Sequence, residues 1–177
     1  MKKSLAVLAT VIIGASGVMA STPIQISLTP DIALFSRHEQ VNGLALSIWG
    51  ENPQSALALG IVNGSTGNSV GFSWAFLLNY ADSYKGVQWG AVNYAHDFLG
   101  WQHGFVNYTD GSMKGLQSGF VNYAGKLTGL QFGFVNFAET AENGVQIGLI
   151  NILPQNAWFS DLPDGLAPGM VFLNWRF

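Results

Sequence analysis

The chain has 177 residues, of which 10% are charged and 13% aromatic, with a formal net charge of -3. That length suits one domain with a sizeable core, the aromatic content excludes a disordered chain, and the acidic balance leaves no basic surface for nucleic acid. There is no cysteine, so an exported form carries no disulfide and no cysteine-linked lipid.

The N-terminus reads as a secretory signal. Lys2 and Lys3 precede an apolar stretch over residues 5–13, and Val18 and Ala20 sit at the small-residue positions before a cleavage between Ala20 and Ser21. The apolar stretch is shorter than the ~20 residues of a spanning helix. Residues 1–20 are thus expected to be removed, leaving residues 21–177 as a single exported domain.

The next part of the chain predicts strands near 24–34, 41–50, 55–64 and 69–81. Ser36, Arg37, His38 and Glu39 cluster in the first connection. Short polar loops commonly look like this, so no catalytic role is assigned to them.

From residue 86 to 152 the sequence repeats itself. The copies are "GVQWGAVNY", "GWQHGFVNY", "GLQSGFVNY", "GLQFGFVNF" and "GVQIGLINI", starting 14, 15, 14 and 15 residues apart. Weaker copies, "GIVNG" and "FLLNY", lie upstream at residues 60–64 and 76–80. This period fits one strand of about ten residues and a turn, and the Phe, Trp, Tyr and Val content favours strand over helix. Further strands are predicted near 85–95, 98–108, 113–124, 127–138 and 143–153.

Side chains alternate across a strand, so each copy can be split into two faces. One carries Gly and Gln, and the other carries large apolar residues such as Leu130, Phe132 and Phe134. The glutamines Gln88, Gln102, Gln117, Gln131 and Gln146 share the small face, where neutral amides can both donate and accept hydrogen bonds. The asparagines Asn93, Asn107, Asn122, Asn136 and Asn151 fall by parity on the apolar face, which is costly for an amide. A β-bulge that turns them inward, or a cap at the strand end, would resolve this. Charged residues (Asp82, Lys85, Asp97, Asp110, Lys114, Lys126, Glu139, Glu142) fall between the motif cores. With neither face charged, neither is expected to meet bulk water freely.

His38, His96 and His103 have no metal-ligand spacing, and His103 stands where other copies have Trp89, Ser118, Phe132 and Ile147. Asp161 and Asp164 lack the ligand count of a calcium loop. No phosphate loop or dinucleotide fingerprint occurs. No catalytic, cofactor-binding or metal residue is therefore assigned. The connection over 153–168 carries Trp158 and Phe159, which either fold back on the domain or mark an external partner patch.

The chain ends in "GMVFLNWRF", predicting a last strand over 168–177. The alternating Val171, Leu173, Trp175 and Phe177 resemble the terminal strand of bacterial outer-membrane barrels, which implies recognition by the barrel-assembly machinery. The repeated unit resembles bacterial surface-repeat proteins built on Gly-x-Gln-x-Gly-x-x-Asn units. That resemblance implies a cell-envelope location and a repeated β architecture, and no defined activity.

Lipid admits only helices and closed barrels, and barrel spans need ~9–11 residues. The sequence therefore favours an all-β fold: a small antiparallel up-and-down β-barrel of about ten strands, eight being the alternative. The apolar face would meet outer-membrane lipid, with the glutamines forming a polar ring in the lumen. Its role would be structural or surface-interacting, without catalysis. Two rivals differ in architecture. One is an exported soluble barrel, periplasmic or secreted, that turns its apolar face inward around a ligand. The other follows from Gln-x-Gly-x-x-Asn-x-Ala, which resembles the curlin repeat and would build stacked amide ladders. A narrow pore ranks low, as does the curlin-like fibre, because inward Gln and Tyr side chains would fill so small a lumen and the heavy Phe and Leu content is unlike those polar chains.

Overall fold

The residues that favour extended backbone do form strand, and the described residues contain no helix. The computed structural model describes residues 21–177, so the leader assigned to 1–20 lies outside the described residues. Five strands make one mixed sheet in the order β2-β1-β3-β4-β5. They are β1 (Ser21–Thr29), β2 (Ile32–Ala33), β3 (Gln40–Asn52), β4 (Gln54–Ile152) and β5 (Gly169–Arg176).

The 99 residues of β4 would span roughly 330 Å if straight, at ~3.3 Å per residue. The strand is not straight. Asn93 Nδ2 lies 2.8 Å from Asn107 Oδ1, and Asn107 Nδ2 lies 2.8 Å from Asn122 Oδ1. From Asn79 to Asn151 the residues 14 or 15 apart touch, so each repeat is one full turn of a coil stacked on the turn before. β1 and β3 continue the stack, pairing in parallel as Ile24↔Leu44 and Leu44↔Leu57. The described chain is a β-solenoid.

This corrects the antiparallel up-and-down barrel expected from the sequence, at ten strands or eight. β1, β3 and β4 pair in parallel; only β2 and β5 run antiparallel to their neighbours. The cause lies in the repeat itself. Antiparallel neighbours would set the asparagine end of one copy beside the glycine end of the next. Parallel stacking sets like on like, so every copy makes the same contacts.

Two columns of glycine allow the turns to approach. Gly86, Gly100, Gly115 and Gly129 have φ of 134, 136, 123 and 128°, a region that disfavours any side chain. A Cβ there would stand 2.0–2.2 Å from the carbonyl oxygen of the equivalent glycine one turn earlier. In the second column, a Cβ on Gly119 would lie 2.2 Å from Gly104 O and 2.6 Å from Asn107 Nδ2. The core itself is thin and ladder-like. Tyr84, Phe98, Met113 and Leu127 stack along one inner edge, and Ala81, Ala95, Ala124, Ala138 and Leu153 along another.

The last strand closes the stack. β5 folds back antiparallel on the final turn, with Val145↔Trp175, Ile147↔Leu173 and Gly148↔Phe172. Residues 153–168 then wrap over β5, held by Asn156 donating to Trp175 O at 3.0 Å and by the Arg176–Asp161 ion pair at 3.1 Å.

Gly119→Ala is expected to cost about 3 kcal/mol, because an overpacked interior must shift backbone to admit one methyl. Gly169→Ala, with open space around its Cβ, should stay within about 0.5 kcal/mol of wild type. Urea unfolding of both variants measures the contrast.

Candidate functional site

The interior is built from amides. Gln88, Gln102, Gln117, Gln131 and Gln146 are all 0% exposed. Gln102, Gln117, Gln131 and Gln146 each donate Nε2–H to the Oε1 of the glutamine one turn earlier, at 3.0, 2.9, 2.8 and 2.9 Å. The second proton of three of them goes to a backbone carbonyl six residues on: Tyr123 O, Phe137 O and Ile152 O. The two ends of the row are open, at Gln88 Nε2 and Gln146 Oε1. These residues thus form a line along the coil axis, where a closed barrel would have made them a ring.

The asparagines form a second line, also fully buried. Here each donor points the other way. Asn79, Asn93, Asn107, Asn122 and Asn136 each donate to the Oδ1 of the asparagine one turn later, at 2.8–2.9 Å. From Asn93 to Asn136 the other proton bonds the next turn's backbone, at His103 O, Ser118 O, Phe132 O and Ile147 O.

A corner brings the asparagines inside. Ala91 and Val92 are both exposed, as are Leu149 and Ile150, and the asparagine after each pair is buried. One extra outward residue breaks the alternation and shifts the parity of everything that follows. Simple period-two counting therefore placed the asparagines on the wrong face.

The large residues point outward. Phe76 is 66% exposed, Phe105 62% and Phe132 57%. In each turn of β3 and β4 the six residues from Leu44–Trp49 to Val145–Ile150 contain no Asp, Glu, Lys or Arg. Phe105, Phe120 and Phe134 stack face to face at 5.0 and 4.8 Å between centroids. The same side is extended by Ile24, Ile26 and Leu28 at one end and by Val171 and Leu173 at the other, all exposed. The result is a charge-free apolar sheet running the length of the stack, parallel except for its last strand.

Along the repeats, charge lies between the outward rows; Asp31, Arg37, Glu39 and Glu51 lie toward the N-terminal end of the stack and Asp161, Asp164 and Arg176 toward the C-terminal end. Asp82, Lys85, His96, Asp97, Asp110, Lys114, Lys126, Glu139 and Glu142 lie between the Asn-x-Ala (Asn-x-Thr at 107–109) end of one turn and the first glycine of the next. Beside them the aromatics that follow each asparagine form their own stack: Tyr94, Tyr108, Tyr123 and Phe137, at 5.8, 4.4 and 5.4 Å. Asp110 accepts from Tyr94 at 3.1 Å and pairs with His96 at 2.9 Å. That hydrogen bond and the Asp110 charge raise the His96 pKa. Toward the N-terminus, burial and donation to Glu51 push the Tyr80 hydroxyl up to about 12. Glu51 also pairs with Arg37 at 2.6 Å.

Other sequence-selected residues lie apart from both features. Arg37 binds Asp31 and Glu51, and Ser36 Oγ accepts from the His38 backbone, so the Ser36–Glu39 cluster is tied into the N-terminal end of the stack. His103 contacts Ser118 Oγ at 2.9 Å and packs edge-on to Trp89. Trp158 and Phe159 are 62% and 52% exposed, so they do not fold into the domain. Asp161 is engaged by Arg176. Trp175 donates to Pro163 O, and Phe177 is 63% exposed at the end of β5. Among the described residues no group of three or more His, Asp or Glu is placed to hold a metal ion.

No family model, curated protein or solved structure matches this chain.

Asn107→Ala is expected to destabilise by about 3 kcal/mol. It strands Ser118 O and Asn122 Oδ1, and each buried polar group without a partner costs ~1–3 kcal/mol; thermal or urea unfolding reads it.

His96 should titrate above the ordinary 6.5. A raised folded-state pKa contributes stability below 6.5 that is lost as pH rises through the raised value. Proton NMR of the imidazole should show the midpoint fall in Asp110→Asn.

Proposed function

We propose that this is an exported, non-enzymatic protein of the bacterial cell envelope whose working part is its charge-free outward sheet. The observation that carries this reading is the separation of surfaces. Ordinary monomers keep their largest exposed apolar patch near ~300–600 Å². Here an apolar sheet spans every turn, while the charge of the repeats lies between its outward rows. The interior is filled by side-chain amides, small residues and the narrow column Tyr84, Phe98, Met113 and Leu127, which leaves function to the outside. The leader-like residues 1–20 and the likeness to envelope surface repeats support export and an envelope location.

The parallel stacking bears on how the protein meets the membrane. A solenoid has two sheet ends, and lipid admits only structures whose backbone groups are all paired internally. Attachment through a surface therefore suits this fold better than a ten-stranded spanning barrel. The apolar face that the sequence assigned to lipid becomes a docking face, and the inward-facing ligand calyx loses its support because the apolar residues lie outside.

Fractionation with N-terminal sequencing tests this. The product should begin at Ser21, sediment with the envelope, and be released by alkaline carbonate. A cytosolic product beginning at Met1 overturns the export reading. Retention after carbonate, with heat-modifiable gel migration, restores the barrel.

A further inference from the structure

We propose that the apolar sheet is covered by the same sheet of a second copy, giving a two-fold, face-to-face dimer. The inference rests on the reading of this sheet as the working surface and names its occupant.

The first argument is area. The sheet has about ten rows: one from β1, one from β3, seven from the turns of β4 and one from β5. At ~4.8 Å between rows and ~3.3 Å per residue along five residues, it covers roughly 45 by 17 Å. That is about 750 Å² per copy, close to the ~800 Å² that each partner contributes to a stable interface of standard size.

The second argument is charge. Loss of the leader removes Lys2 and Lys3 and takes the formal charge from -3 to -5. An acidic protein with no basic residue on the apolar sheet gains nothing from an anionic lipid surface, where interfacial binders rely on Lys and Arg. A second copy imposes no such penalty. The charges of the repeats, from Asp82 to Glu142, lie between the outward rows, so pairing of the sheets brings none of them face to face.

The third argument is shape. Outward side chains repeat in columns: Trp74, Trp89 and Phe132 in one, and Phe76, Phe105, Phe120 and Phe134 in the next. Ser118 and His103 interrupt the first column with smaller or polar side chains, and Ala91 interrupts the second. Ridges beside hollows allow two such faces to interdigitate, as packed sheets do at ~10 Å separation. An identical patch on both subunits closes the assembly at two.

The test is sedimentation velocity on the chain purified after export, at micromolar concentration. Wild type should sediment as a dimer. Phe105→Glu and, separately, Trp89→Glu should each weaken it about 30-fold or more, as loss of a central apolar anchor does. Lys114→Glu, between the outward rows, should leave it unchanged; circular dichroism checks that each variant keeps its strand signal. A monomeric wild type overturns the proposal. So does a dimer that survives both face variants, and so does capture of wild-type monomer by neutral phosphatidylcholine vesicles. A monomer that is exported and envelope-bound defeats the dimer alone. A dimer that starts at Met1 in the cytosol defeats the envelope reading alone.

Discussion

The structure depends on one interaction: a side-chain amide bonded to the same amide one turn away. Each such bond adds only ~0.5–1.5 kcal/mol net. Its larger effect is on register. A glutamine or asparagine buried in this interior must find both a donor and an acceptor, and a partner 14 or 15 residues away supplies them only if the turns align. A slip of one residue would strand a whole column at ~1–3 kcal/mol per group. The glycine columns follow from this, since amides can bond across turns only where backbone meets backbone without a Cβ between.

That interior dictates the exterior. Within each Gly-x-Gln-x-Gly-x-x-Asn unit, amides and glycines take the inward positions, so the bulky apolar residues that alternate with them point out. The sheet is aromatic on its surface for the same reason that it is polar within. In an ordinary globular domain the two roles are reversed, and apolar burial against solvent drives folding. Here the inner columns Tyr84–Leu127 and Ala81–Leu153 supply a narrow apolar core. Much of the apolar surface remains available for contact with something else.

The sequence shows the β class, the period and the division of each repeat into a glutamine face and an aromatic face, because alternation follows from strand geometry alone. It does not show whether neighbouring repeats run the same way. A period of 14 or 15 serves equally as strand plus hairpin turn or as one complete turn of a coil. The distinguishing signal was present in Gln88 to Gln146 and Asn93 to Asn151. An identical amide at a fixed place in every copy profits from parallel stacking, and the likeness to curlin repeats pointed that way. The weight given to the terminal Phe177 and to charge-free strands favoured the barrel instead. The corner before each asparagine was hidden for another reason. Val92 and Ile150 resemble any other strand residue, and only the burial of the residue that follows reveals that the count has shifted by one.

The opposed directions of the two amide rows have a consequence for length. Each row, taken alone, is a line of aligned dipoles whose moment grows with every turn added, much as a helix accumulates one along its axis. The glutamine row points its donors toward the N-terminal end and the asparagine row toward the C-terminal end. Their moments cancel turn by turn. Inserting or deleting one whole repeat therefore leaves the electrostatic balance of the stack unchanged, and the number of turns is free to vary without a penalty that scales with size.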